Sequence, residues 1–249
     1  MRWLALAWLG VALACADNPY VIGHVLPTEA DGGSANSCAD STALLCSSFE
    51  SEQLSDEWSD TVLENAGEIA RTTARSHTGD AALHAQTHAM SSLAVVASTF
   101  EPLRAGTVYF RAYLYVPDAL PTRAINIFFL GDTPDPDPFS GVDFNLEDGA
   151  LEVYSPQANP NRQKGTLKIP RGQWFCVRAD VVIADQRASI DVHIDDALAL
   201  HATEIDTLPS GGIRLFRAGI DWSSAQDDFF EIFMDDIALD TAPVACLAP

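Results

Sequence analysis

Between Thr107 and Pro117 the chain reads TVYFRAYLYVP. Arg111, Tyr113 and Tyr115 occupy alternate positions there, so an extended backbone puts all three on one side. Arg178 and Asp180 repeat that spacing in WFCVRADVVIA. Guanidinium, phenol and carboxylate groups on one face are the equipment for holding a sugar. Rings stack on the pyranose, and the polar groups hydrogen-bond its hydroxyls. Trp222, in IDWSSAQDD, adds a loop aromatic of the same use. The face is either a ligand surface or the solvated outer side that antiparallel sheets commonly have, and both readings stay open.

A second group suits a cation. Asp132, Asp135, Asp137 and Asp143 recur through GDTPDPDPFSGVDFNLEDG. Carboxylates and carbonyls on one loop suit calcium, although the spacing is not that of an EF-hand. The alternative is a solvated loop stiffened by proline. Asp195, Asp235 and Asp236 offer another calcium position. His84 and His88 are four apart but lack the glutamate of a zinc-protease helix. No G-x-S-x-G elbow, G-x-G-x-x-G turn or phosphate loop occurs. No catalytic residue and no obligate cofactor is assigned.

These side chains need strands to position them, and the hydrophobic period supplies strands. In Thr107–Pro117, Phe110, Leu114 and Val116 face away from the tyrosines. Arg123–Leu130, Gly149–Tyr154, Trp174–Ala184, Ala188–Asp195, Gly212–Ile220 and Phe229–Leu239 read as further strands. Asp185-Gln186-Arg187 has the length of a hairpin turn. Ser47–Glu50 and segments between Glu68 and Phe100 supply the earlier strands. No amphipathic helix separates them, so the expected architecture is all-β, an antiparallel sandwich or jelly roll in one domain. Its core draws on Phe110, Leu114, Val116, Val181, Ile183, Ile190, Val192 and Ile194. Trp174 is expected in the core as well.

Residues 1–16 (MRWLALAWLGVALACA) read as an export signal: one arginine, then an apolar run too short to span a bilayer. Cleavage before Asp17 and a lipobox-like exit that lipidates Cys15 are both open. Residues 17–37 form a flexible tether, and residues 38–249 the folded domain. The expected setting is a cell-surface or outer-membrane lipoprotein, or a secreted protein. It would touch membrane only through its anchor and would most simply be a monomer. With 14 basic and 35 acidic residues the net charge is −21, which argues against nucleic-acid partners. At 47% hydrophobic the chain can still bury a core. Of five cysteines, Cys15 belongs to the export signal. Cys38, Cys46, Cys176 and Cys246 allow three pairings in an oxidising compartment. Cys38–Cys46 with Cys176–Cys246 is the favoured one.

Three pieces together carry a resemblance. They are Cys46-Ser47-Ser48-Phe49-Glu50 with Trp58; Gly172-Gln173-Trp174 with the hairpin ending Ile194-Asp195-Asp196; and Asp235-Asp236-Ile237. In that order they resemble concanavalin A-like lectin/glucanase sandwiches of the laminin-G-like and polysaccharide-lyase-like kind. The resemblance implies a jelly roll and a polysaccharide or glycan partner. Family glucanases place E-x-D-x-x-E on one strand, and Glu231–Asp236 lacks that spacing. Family alginate lyases combine Arg, Gln, His and Tyr. Here Asn126 and Phe128 stand where Gln and His would, with Arg217 near the lysine position and Asp221 near the tyrosine. The leading expectation is therefore a carbohydrate-binding sandwich without catalysis. A lyase or glycoside hydrolase with an atypical site, and an adhesion lipoprotein, are the alternatives.

Overall fold

The computed structural model describes residues 38, 41–88, 92–117, 124–132, 141–156, 158–223 and 229–247. Within them the strands form two antiparallel sheets. The first sheet runs β13 (Ala197–Ile205), β12 (Ala188–Ile194), β11 (Trp174–Ile183), β6 (Gly106–Tyr115), β15 (Phe230–Asp240), β4 (Ala82–Thr87) and β3 (Glu68–Thr72). A short β1 (Leu45–Ser47) also pairs with β15. The second sheet runs β10 (Arg162–Lys168), β9 (Ala150–Tyr154), β8 (Gly141–Glu147), β7 (Ile125–Gly131), β14 (Ile213–Ser223), β5 (Leu93–Leu103) and β2 (Asp60–Glu64). Numbers follow the chain, so sequence neighbours often lie in different sheets, as Greek-key connections require. A single 3₁₀ turn, Leu54–Asp56, is the one helical element among the described residues.

Period-two alternation fills the space between the sheets. Phe110 of β6 meets Phe128, Phe144 and Phe216 of β7, β8 and β14 at centroid distances of 5.3, 5.0 and 5.3 Å. The first ring belongs to one sheet and the other three to the opposite one, so this cluster joins the layers. Each such pair adds about 0.5–1.5 kcal/mol beyond the area it buries. All eight residues expected in the core lie in it.

The expected strands are found with ends shifted by at most three residues, and both favoured disulfides are present, Cys38–Cys46 and Cys176–Cys246. Several expectations need correction. The first strand is Leu45–Ser47, not Ser47–Glu50, because Phe49 turns the chain with φ 56°. Trp58 is core, 3% exposed, but Trp174 is not. Its ring is half-buried and lies edge-on to Tyr115. Four strands went unread: β2, exposed along most of its length; β8, hidden in the aspartate-rich run; β10, in which Leu167 is the one large apolar residue; and β13, whose alternation is interrupted.

Candidate functional site

The expected ligand face is real as a face but is already occupied. Arg111, Tyr113, Tyr115, Arg178 and Asp180 share the outer side of the first sheet, with Arg178 opposite Arg111 and Asp180 opposite Tyr109. Residues 241–247 then return across that side as a strap, tied down by the Cys176–Cys246 disulfide. Arg111 donates to the carbonyls of Asp236 and Ala245 at 3.3 and 2.8 Å, and Tyr113 donates to that of Leu247 at 3.0 Å. The His77 ring lies flat on Tyr113, 3.5 Å between centroids. Arg111 and Tyr113 are consequently only 8% and 6% exposed. The Arg75 guanidinium covers Tyr115 at 3.6 Å. Arg178 sits between Asp180 and Asp196 at 3.7 and 3.8 Å. The chain's own groups thus take up the hydrogen-bonding capacity of Arg111 and Tyr113.

Trp222 does not join that face. It lies within β14 of the second sheet, opposite Asn126, and is 42% exposed. The calcium expectation also changes. Asp143 is on a strand and takes a hydrogen bond from Asn126 Nδ2. Asp132 is held by Arg214. Asp135 and Asp137 lie outside the described residues. Asp236 and Asp235 are fully buried in β15. Asp236 binds His77 and Thr78, and Asp235 accepts backbone N–H groups from the same two residues. Asp195 accepts from the Cys176 N–H. Among the described residues no three His, Cys, Asp or Glu side chains converge on a metal position.

The polar cluster that sequence reasoning missed is on the outer side of the second sheet. There β8 alternates Val142, Phe144 and Leu146 into the core with Asp143, Asn145 and Glu147 outward. Strand register carries this outward set across the sheet in two rows. One row reads Lys164, Glu152, Asn145, Asn126 and Trp222. The next reads Arg162, Tyr154, Asp143, Phe129 and Arg217. Phe129 packs there with Ala97 and Leu215 as a small apolar patch separate from the main core. Phe128, the position resembling a lyase histidine, points the other way and is fully buried.

Hydrogen bonds bind the rows together. Asn145 Nδ2 and Arg162 both donate to Glu152 Oε1, at 3.1 and 2.6 Å. The Arg162 guanidinium covers the Tyr154 ring at 4.6 Å. Arg217 donates to Asp221 at 2.6 Å. Four residues of regular strand span about 13 Å, so this pair needs a distortion. Between Ala218 and Trp222, β14 carries more residues than the facing stretch of β7. Gly219 at φ 132° makes the bulge, and a Cβ there would sit 2.3 Å from the Ala94 carbonyl oxygen.

Burial sets the protonation of this cluster. It drives the Asp143 carboxyl up to about 7, and the charge on Asp221 pushes the same way against the Asn126 hydrogen bond and the two arginines. Burial also raises Asp221, which Arg217 opposes, and Glu152. Asp143 therefore holds or releases a proton near neutrality, the property a general acid or base requires. Asn126 Oδ1 is buried and accepts from no group of the described residues. A depression of about 620 Å³ opens alongside, bounded by Arg217, Leu215, Thr99, Asp60 and Asp132. The signal for the cluster was present in V-D-F-N-L-E, whose alternation is as regular as that of β6.

Comparison with protein-family models and with curated protein sequences gives no match. Solved structures do match in fold. An endo-β-1,4-glucuronan lyase from the fungus Trichoderma reesei superposes with a TM-score of 0.60 at 16% identity, covering 74% of this chain and 91% of that one. The cellulose-induced protein Cip1 gives 0.59 at 15%, covering 81% and 99%. A carbohydrate esterase from the Shiga toxin-encoding bacteriophage phi24B gives 0.55 at 16%, covering 80% and 97%. The fold is therefore the antiparallel jelly-roll sandwich that these proteins share.

Proposed function

We propose that this chain acts on polysaccharide at the outer side of its second sheet, with Asp143 as the group that moves a proton. One observation carries the reading: a carboxyl raised to about 7 stands among Asn126, Tyr154, Arg162 and the Arg217–Asp221 pair. An isolated binding face has no need of a titrating group. The like folds named above are carbohydrate-associated proteins, which supports the substrate class. This favours the catalytic alternative over the sugar-holding face of the first sheet. Asn126 Nδ2 holds one carboxyl oxygen of Asp143 and leaves the other for substrate. Trp222 offers a ring for a sugar to stack on. Two disulfides fit an exported protein, with Cys15 as the residue to which a lipid anchor would attach.

The test is incubation of the purified chain with a panel of neutral and acidic polysaccharides, scoring retention, new reducing ends and new unsaturated ends. Release from any of them, lost in Asp143→Asn, is the expected result. Retention without release returns the protein to a binding role. The absence of both retention and release sinks the carbohydrate reading.

A further inference from the structure

Resting on that reading, the site also indicates what kind of polysaccharide it accepts. Lyases of this fold class cleave uronate chains, and β-elimination there needs a cation or other donor against the uronate carboxylate. On this face Arg162, Arg214, Arg217 and Lys164 are each bonded to a carboxylate, and Lys168 donates to the carbonyl of Asp148. Arg217 is bound by Asp221 at 2.6 Å and Arg162 by Glu152 at 2.6 Å. Lys164 is bound by Asp148 at 2.7 Å, with Glu147 at 3.6 Å, and Arg214 by Asp132. Between Asn145 and Trp222 in the first row, Asn126, 5% exposed, keeps an acceptor oxygen with no donor among the described residues. A buried acceptor left unpaired costs about 1–3 kcal/mol, and a substrate hydroxyl or ammonium would relieve it. A substrate carboxylate, which only accepts, could not. Asp60 and Asp132 line the adjoining depression with further acceptors. The whole chain carries −21, which repels polyanions at a distance.

We infer that the substrate is an uncharged, hydroxyl-rich glycan, cleaved by water rather than by elimination. The balance of such a step is simple. The glycosidic C–O bond breaks, and the Asp143 proton goes to the departing oxygen. A water oxygen bonds to the released carbon, its proton passes to the Asp221 carboxylate and from there to solvent, and Asp143 takes a proton back from solvent. No oxidant or reductant is involved. Glu152 acts here as a specificity residue, since it cancels Arg162 in the same row as Asp143.

A matched pair of ligands tests this: a soluble β-glucan, and the same glucan with its C6 hydroxyls oxidised to carboxylates. Calorimetric titration of the full chain is expected to show the uncharged glucan bound at least about tenfold more tightly. Its cleavage should give reducing ends without the ultraviolet absorbance of unsaturated ends. Glu152→Gln frees Arg162, which is 45% exposed, and should narrow that preference about tenfold. Asn126→Leu should weaken the uncharged glucan and leave the oxidised one unchanged. Tighter binding of the oxidised glucan by the unmodified chain, or unsaturated ends from it, overturns the inference while leaving polysaccharide cleavage standing. If neither glucan, nor any other polysaccharide of the panel, is held or cut, polysaccharide action itself falls, and this inference with it.

Discussion

The phenol of Tyr113 donates to the carbonyl oxygen of Leu247, one residue beyond the cysteine that fixes the end of the chain to β11. A side chain suited to stacking on sugar serves instead to seat the strap of residues 241–247. Arg111 does the same for Ala245. These are net stabilising contacts of about 0.5–1.5 kcal/mol each, more where the donor is charged.

Loss of the strap's covalent tie should be costly. The Cys176–Cys246 bridge spans 70 residues, and a loop of that size corresponds to about 4 kcal/mol in the chain-entropy account. Cys246→Ala with Cys176→Ala is expected to lower the unfolding free energy by about 3–4 kcal/mol in urea titration. Tyr113→Phe should cost about 1 kcal/mol. An unchanged urea midpoint for the double cysteine variant would show that the strap holds without it.

The Arg217–Asp221 pair predicts an asymmetry. Both side chains are under 10% exposed, so removing one partner strands a buried charge. Asp221→Ala is expected to cost about 3–5 kcal/mol, whereas Arg217→Met combined with Asp221→Leu should recover most of it. Equal losses in the single and double variants would mean that packing, not charge, governs the site.

Stability should fall as pH rises through the acid range. Burial first, and then the charge of Asp236, holds the fully buried Asp235 carboxyl up to about 8 against an ordinary 3.8. Its folded-state value is raised, so its contribution is complete below the ordinary value and is lost as pH climbs towards 8. Over that window the slope is about 1.4 kcal/mol per pH unit for each such group. Asp143 acts likewise up to about 7. Urea midpoints measured from pH 4 to 8 should therefore decline, and Asp235→Asn should flatten the curve. A midpoint that rises with pH refutes this.

Turnover should carry the same signature with a different residue. If protonated Asp143 delivers the proton, the rate on a cleaved glycan falls above about pH 7. Asp143→Asn should then reduce it by about 100-fold or more. A rate that is flat through pH 6–9 in the unmodified chain removes Asp143 from the proton step.

Much of the scaffold was legible because strand alternation is local. Phe110, Leu114 and Val116 announce their side of β6 from spacing alone, and the Asp185–Arg187 hairpin follows from its length. The site was only partly legible. Tyr113 and Arg111 read as an open face, since nothing near them in sequence says that residues 134 positions on will cover them. Asp143 was read with Asp132, Asp135 and Asp137 as loop because aspartate repetition is a louder signal than the alternation of β8. Arg217 and Asp221 could not be paired from sequence, as the pairing depends on the bulge at Gly219.

The two disulfides have a practical consequence for handling the molecule. Cys46 lies on β1 and Cys246 on the strap, and both are bound to the first sheet. The rows around Asp143 occupy the opposite side of the sandwich. A resin, probe surface or fusion partner coupled beyond Cys246 therefore takes hold of the molecule from behind and leaves the Asp143 side turned outward to meet an insoluble substrate.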